Sequence, residues 1–211
     1  MDDTAPASAI GSEDALRELY GTPGEVATKK VLSRLDKHCK RFIELSPFLC
    51  IASAGADGAA DVSPRGDAPG FVGVPDDNTV VIPDRRGNNR LDTLSNIVEN
   101  PNLGLIFLIP GFNDILRING RGKVVDDPAL LAGYAVKGKV PATAIVITVD
   151  EAYLHCPKAV MRADLWSDEA KTPRDAMPTA GQIYKDQIAG LAESGEELEA
   201  GFAAKRVKTL Y

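Results

Sequence analysis

The segment Asp84-Arg85-Arg86-Gly87-Asn88-Asn89-Arg90 combines three arginines, a glycine and two amides. It follows an apolar run and opens a helical one, so its cations converge on a helix N-terminus. Free backbone N–H groups and the positive end of the dipole favour an anion there. The chemistry on offer is the cradling of a phosphate. A solvated basic loop whose asparagine merely caps the helix would use the same residues.

Three further clusters extend that chemistry. In Asp61-Val62-Ser63-Pro64-Arg65-Gly66-Asp67, Arg65 would reach the same anion by charge-assisted hydrogen bonds, or pair with Asp61 or Asp67 at the surface. In Asn113-Asp114-Ile115-Leu116-Arg117-Ile118-Asn119-Gly120-Arg121-Gly122, alternation puts Arg117, Asn119 and Arg121 on one strand face and Leu116 and Ile118 on the other. That pattern suits an ordinary half-exposed strand as well as a ligand-facing one. After His155-Cys156-Pro157, a helix carries Arg162 and Trp166 one turn apart on one face. A guanidinium and an aromatic suit the edge and face of a planar ring; a core tryptophan beside a surface arginine is the alternative. His155 adjoins Cys156, but His38 is remote and no carboxylate stands at ligand spacing, so no metal site is expected.

These residues need a scaffold, and the chain's periodicity supplies one. Ser12, Glu13 and Asp14 ahead of Leu16, Leu19 and Tyr20 predict a capped helix, and a second helix is expected from about Gly24 to Cys39. Residues 1–11 read as a disordered lead-in. Phe48 to Ala54, the turn signal Asp57-Gly58 and Ala60 to Ser63 predict a β-hairpin. Further strands are expected over Thr79 to Ile82, Leu103 to Ile109, Ile115 to Val125 and Ala144 to Val149. Leu91, Leu94 and Val98 predict a helix beginning near Asn88 or Asn89 and ended by Pro101, and Asp127-Pro128 starts another that runs to about Tyr134. Short antiparallel connections favour a barrel over a doubly wound sheet. The tail from Ser167 to Tyr211 reads as loop plus helix.

Composition bounds the rest. With 211 residues, 44% hydrophobic and 26% charged, one domain can close a full core. A net charge of −6 argues against a nucleic-acid footprint, which needs a basic face. Cys39, Cys50 and Cys156 form no CxxC pair and are expected as reduced thiols. No signal pattern and no apolar run of ~20 residues is found, so a cytoplasmic protein with no membrane partner is expected.

Taken in order, the four clusters resemble the pyridoxamine 5′-phosphate oxidase-related superfamily of FMN-binding split-barrel proteins, nearest its actinobacterial and Deinococcus-type branch. The likeness runs from about Phe42 to Trp166. It rests on the hairpin ending at Asp67, Val80-Val81-Ile82-Pro83-Asp84, Gly87-Asn88-Asn89-Arg90-Leu91-Asp92-Thr93-Leu94, Leu116-Arg117-Ile118-Asn119-Gly120-Arg121, and Cys156-Pro157-Lys158-Ala159-Val160-Met161-Arg162 with Trp166.

The resemblance implies a mainly β fold with flanking helices: an antiparallel, Greek-key split β-barrel over 42–166. Residues 1–41 would form a helical extension, and 167–211 a loop and helix on the same domain. It also implies a homodimer with one FMN in each of two clefts, acting as an FMN-dependent oxidoreductase on a small-molecule redox substrate. Arg65, Asn88, Asn89 and Arg90 would then hold the phosphate and ribityl chain, while Ile82, Pro83 and Asp84 run their backbone along the isoalloxazine. Ser63 and Arg117 are further candidates on that cleft, and Arg162 and Trp166 would come from the partner chain. No Arg-x-His motif stands at the C-terminal end, which speaks against vitamin B6 oxidation. A flavin carrier or redox sensor would share every binding residue, and the same fold includes members that bind F420 or heme.

Overall fold

The computed structural model describes residues 9–210; most of the expected lead-in, residues 1–8, lies outside them. The chain runs through α1 (Glu13–Tyr20), α2 (Glu25–Lys29), α3 (Lys37–Leu45), β1 (Phe48–Ala54), β2 (Ala60–Gly66), β3 (Thr79–Pro83), α4 (Asp92–Glu99), β4 (Asn102–Leu108), β5 (Ile115–Val125), α5 (Pro128–Ala132), β6 (Ala144–His155), α6 (Lys158–Arg162), α7 (Ala180–Gln187) and α8 (Gly195–Thr209). Six antiparallel strands form one curled sheet in the order β2-β1-β4-β5-β6-β3. β4, β5 and β6 are successive neighbours, and β3, joined to β4 by the long α4 connection, lies beside β6, a Greek-key arrangement. The fold is a split barrel with flanking helices.

Cross-strand register builds the core in rows. Leu49 faces Phe107, which faces Leu116; Ile51 faces Leu105, which faces Ile118. All six are essentially buried, and each contributes roughly 1.5–3 kcal/mol of burial. Cys39, Phe42 and Ile43 of α3 and Val80 and Ile82 of β3 belong to the same cluster. A smaller cluster joins Val81 and Ala144 to Leu131 of α5, with Tyr134 packed against it.

Three helical expectations need correction. The helix expected over 24–39 is two helices: Leu32 leaves helical geometry to exchange backbone hydrogen bonds with Ala152, and Asp36 restarts the chain by accepting from the His38 and Cys39 N–H groups. The helix expected from Asn88 or Asn89 begins at Asp92, because Asn89 and Leu91 both take left-handed backbone (φ 62° and 63°). The helix after Pro157 stops at Arg162, and Asp164 turns left-handed (φ 46°), so Trp166 lies beyond it instead of one turn along. β6 is longer than expected and runs on to His155 past a register shift at Asn119/Gly120.

α7 and α8 pack on one another through an edge-to-face Tyr184–Phe202 pair and a close approach of Gly181 to Gly195. Among the described residues no helix is long and apolar enough to cross a membrane.

Candidate functional site

The inward row does not end at β1. Ser63 is paired with Ile51 and Arg65 with Leu49, so the face that carries core leucines and isoleucines on β1 carries Asp61, Ser63 and Arg65 on β2. All three are half-buried, while Val62 and Pro64 between them are exposed. A strand whose polar residues point inward and whose apolar residues point outward inverts the usual core pattern. What it faces is a cavity of about 920 Å³, within the range of small-molecule sites.

Three segments close the cavity around β2. The loop Asp84 to Leu91 and the first turn of α4 form one rim. α4 has no side-chain cap, so none of its first-turn N–H groups is claimed by a capping side chain. Thr93 Oγ1 donates to Asp61 Oδ2 at 3.1 Å, and Asn96 Nδ2 donates to Ser53 Oγ at 3.0 Å, which pin the helix to the hairpin. The opposite rim is the turn Val136 to Thr143 with Phe71, contributing apolar surface from Val136, Val140, Pro141 and Ala142.

The arginines differ in their commitments. Arg65 donates to Ser63 Oγ and to the Pro64 carbonyl, and among the described residues it forms no hydrogen-bonded ion pair with a carboxylate. Arg85 is bound to Asp67 Oδ2 and the Tyr134 carbonyl, both at 2.7 Å. Arg90 is exposed and paired with Asp92 at 2.8 Å. Arg86 lines the cavity, is exposed, and makes no hydrogen bond or ion pair among the described residues. Asn88 Oδ1 accepts from the Arg90 N–H at 3.0 Å, shaping the loop, and Asn89 lines the cavity beside it. Burial lifts the Asp84 carboxyl above its ordinary value, with Arg65 pulling it partly back.

Of the candidate residues, Ser63, Arg65, Asp84, Asn88, Asn89 and Arg90 meet around this one cavity. Ile82 and Pro83 are buried and do not line it. Arg117, Arg162 and Trp166 stand apart from it in this chain: Arg117 lies 5.4 Å from the Tyr153 ring, and Trp166 Nε1 donates to the Phe112 carbonyl at 2.7 Å. Arg86 and the apolar turn 136–143 are not among the expected site residues. The signal for Arg86 was present in its arginine-rich segment. The turn had none, since nothing local in Val136 to Thr143 says which side of the barrel it covers.

A family model described as pyridoxamine 5′-phosphate oxidase matches residues 35–156. No curated protein matches the chain. Among solved structures, HupZ of Group A Streptococcus is 17% identical over 57% of this chain and 93% of its own, with a TM-score of 0.47. An F420 reductase is 18% identical over 55% and 94%, with a TM-score of 0.39. An FMN-binding protein from Syntrophomonas wolfei is 8% identical over 68% and 96%, with a TM-score of 0.42.

Proposed function

The chain belongs to the pyridoxamine 5′-phosphate oxidase family, and from that premise we propose that its cavity binds FMN and that the protein is an FMN-dependent oxidoreductase acting as a homodimer. The observation that carries this reading is the inverted alternation of β2, which aims Ser63 and Arg65 into a cavity whose facing rim bears Arg86, Asn88, Asn89 and the uncapped start of α4.

The donor set fits a phosphate-bearing flavin. Arg65 and Arg86 form no ion pair with a carboxylate among the described residues, although Arg65 acts on Asp84 through space, and charge-assisted hydrogen bonds to an anion are about twice as strong as neutral ones. Arg90, Asn88 and Asn89 add donors beside the first-turn amides of α4. The apolar wall of Val136, Val140, Pro141 and Phe71 suits the planar ring, away from the cationic rim. Bound there, the flavin would supply the hydride chemistry. The chain's own residues hold the phosphate, orient the ring and keep water from its covered side.

The homodimer is supported by the outer sheet face. Val62, Phe48 and Ile106 are 67%, 37% and 40% exposed, and register places Val62 beside Ala52, Phe48 beside Leu108 and Ile106 beside Cys50 on that face. A second copy would cover it and bring Arg162 and Trp166 to the neighbouring cavity.

The test is to denature the purified protein and identify the released cofactor by mass spectrometry. FMN supports the reading, whereas F420, heme, or failure to bind added FMN overturns it. Bleaching of the bound flavin by reduced nicotinamide or another small reductant then separates an oxidoreductase from a carrier or sensor, which would leave it oxidised.

A further inference from the structure

We infer that Arg85, which lines the cavity rim with its guanidinium engaged by Asp67 and the Tyr134 carbonyl, is a positioning residue: it clamps the turn 136–143 over the cavity and so controls ligand affinity without binding the ligand's phosphate. This rests on the reading that the cavity takes a flavin. The turn is a self-contained unit. Val136 and Lys139 exchange both backbone hydrogen bonds, at 3.0 and 2.9 Å, and the two residues between them, Lys137 and Gly138, are left-handed (φ 50° and 76°). This is the geometry of a two-residue hairpin turn. Its residues supply most of the apolar wall.

Both feet of the turn are tied to the segment that follows β3. The Asp84 N–H donates to the Thr143 carbonyl at 2.9 Å, and Arg85 Nη1 donates to the Tyr134 carbonyl at 2.7 Å. Arg85 Nε reaches in the other direction to Asp67 Oδ2, also at 2.7 Å, with the Asp67 side chain only 4% exposed. Asp67 is held in turn, since its N–H donates to the Pro47 carbonyl at 3.1 Å. One planar guanidinium therefore joins the exit of β2, the exit of β3 and the exit of α5. Its fixed fork of donors is what allows two acceptors to be served at once.

Tyr134 provides an independent lock on the same foot. Its hydroxyl rests on Gly73, where an added Cβ would lie 1.9 Å from Oη, and Gly73 is itself held by two hydrogen bonds to Val81 at 2.9 and 2.8 Å. Arg85 sits between two acceptors it already serves, so the anion falls to Arg65 and Arg86.

The experiment uses the full chain and reads two things separately. Hydrogen exchange of residues 134–143 is followed without ligand in wild type, in the double variant Arg85→Met/Asp67→Asn, which leaves no orphaned buried charge, and in Gly73→Ala, which displaces Tyr134 with Arg85 intact. Exchange in this segment should rise at least tenfold in both variants while β1 and β4 stay protected; unchanged exchange overturns the clamp. Affinities for FMN and riboflavin are then compared. A clamp predicts that the double variant loses both by the same factor. Selective loss of FMN would make Arg85 a phosphate ligand and overturn the inference. Failure of wild type to bind either flavin sinks the functional reading, and the exchange measurement still decides the clamp.

Discussion

At the cavity, Arg65 and Arg86 line the wall and form no ion pair with a carboxylate among the described residues. On the outer sheet, Arg117 and Lys30 both lie over the Tyr153 ring, at 5.4 and 5.5 Å, Lys30 also donates to the Leu154 carbonyl, and Trp166 is anchored on the Phe112 carbonyl. Both regions combine cations with aromatic or amide groups, and composition alone does not tell them apart. The difference lies in where strand alternation sends them. β2 turns its polar residues to the inner face at an edge of the sheet, where no further strand covers them, whereas β5 sends Arg117 to the outer face and keeps Leu116 and Ile118 inside.

The largest expected effect follows from that contrast. Arg65→Met and Arg86→Met should each weaken FMN binding by about 10- to 100-fold, the equivalent of about 1.5–3 kcal/mol for a charge-assisted bond. Arg90→Met should cost less, because its exposed guanidinium is shared with Asp92, and Arg117→Met least of all. Flavin-fluorescence titration gives the order. Equal losses at Arg86 and Arg117 would erase the distinction between the two regions.

A smaller effect is expected at Trp166. It is the only tryptophan, so its emission reports one position. If the partner's flavin lies against it, FMN titration quenches that emission, and heterodimers of Arg90→Ala with Trp166→Ala subunits bind FMN normally at about half their sites. Every site impaired would confine Trp166 to its own chain. Trp166→Phe should in any case cost about 1 kcal/mol through the lost hydrogen bond to Phe112, seen as a lower Tm.

Much of this was legible in residue order. The hairpin at Asp57-Gly58 and β5 from Ile115 to Val125 follow from turn chemistry and alternation. So does the meeting of Ser63, Arg65, Asn88 and Asn89 once the strands are paired. What escaped was set by tertiary contacts. Leu32 breaks a helix because Ala152, far along the chain, offers a better partner. Left-handed Asn89 and Leu91 delay α4, against local preference. Arg85 is indistinguishable from Arg86 in sequence, and only the buried carboxylate of Asp67 and the carbonyl of Tyr134 give the two neighbours different work.

The smallest expected effect sharpens the comparison by its sign. Asp84, at the cavity, has its pKa raised from 3.8 by burial. The folded chain then keeps a proton that the unfolded chain has released, so this stabilisation is full below the unfolded value and is lost as pH rises through the folded one. His155, on the outer side, has its pKa lowered from 6.5, first by burial and then by Arg117 and Lys30. There the folded chain prefers the neutral ring, so its stabilisation is present above the unfolded value and is lost as pH falls. Asp84→Asn, uncharged throughout, should melt above wild type at pH 7 and converge with it near pH 4. The Tm of wild type relative to His155→Gln should instead fall as pH drops from 7 to 5. Thermal melts across pH 4–8 read both, and two variants drifting in the same direction would show that cavity and outer sheet do not impose opposite demands on charge.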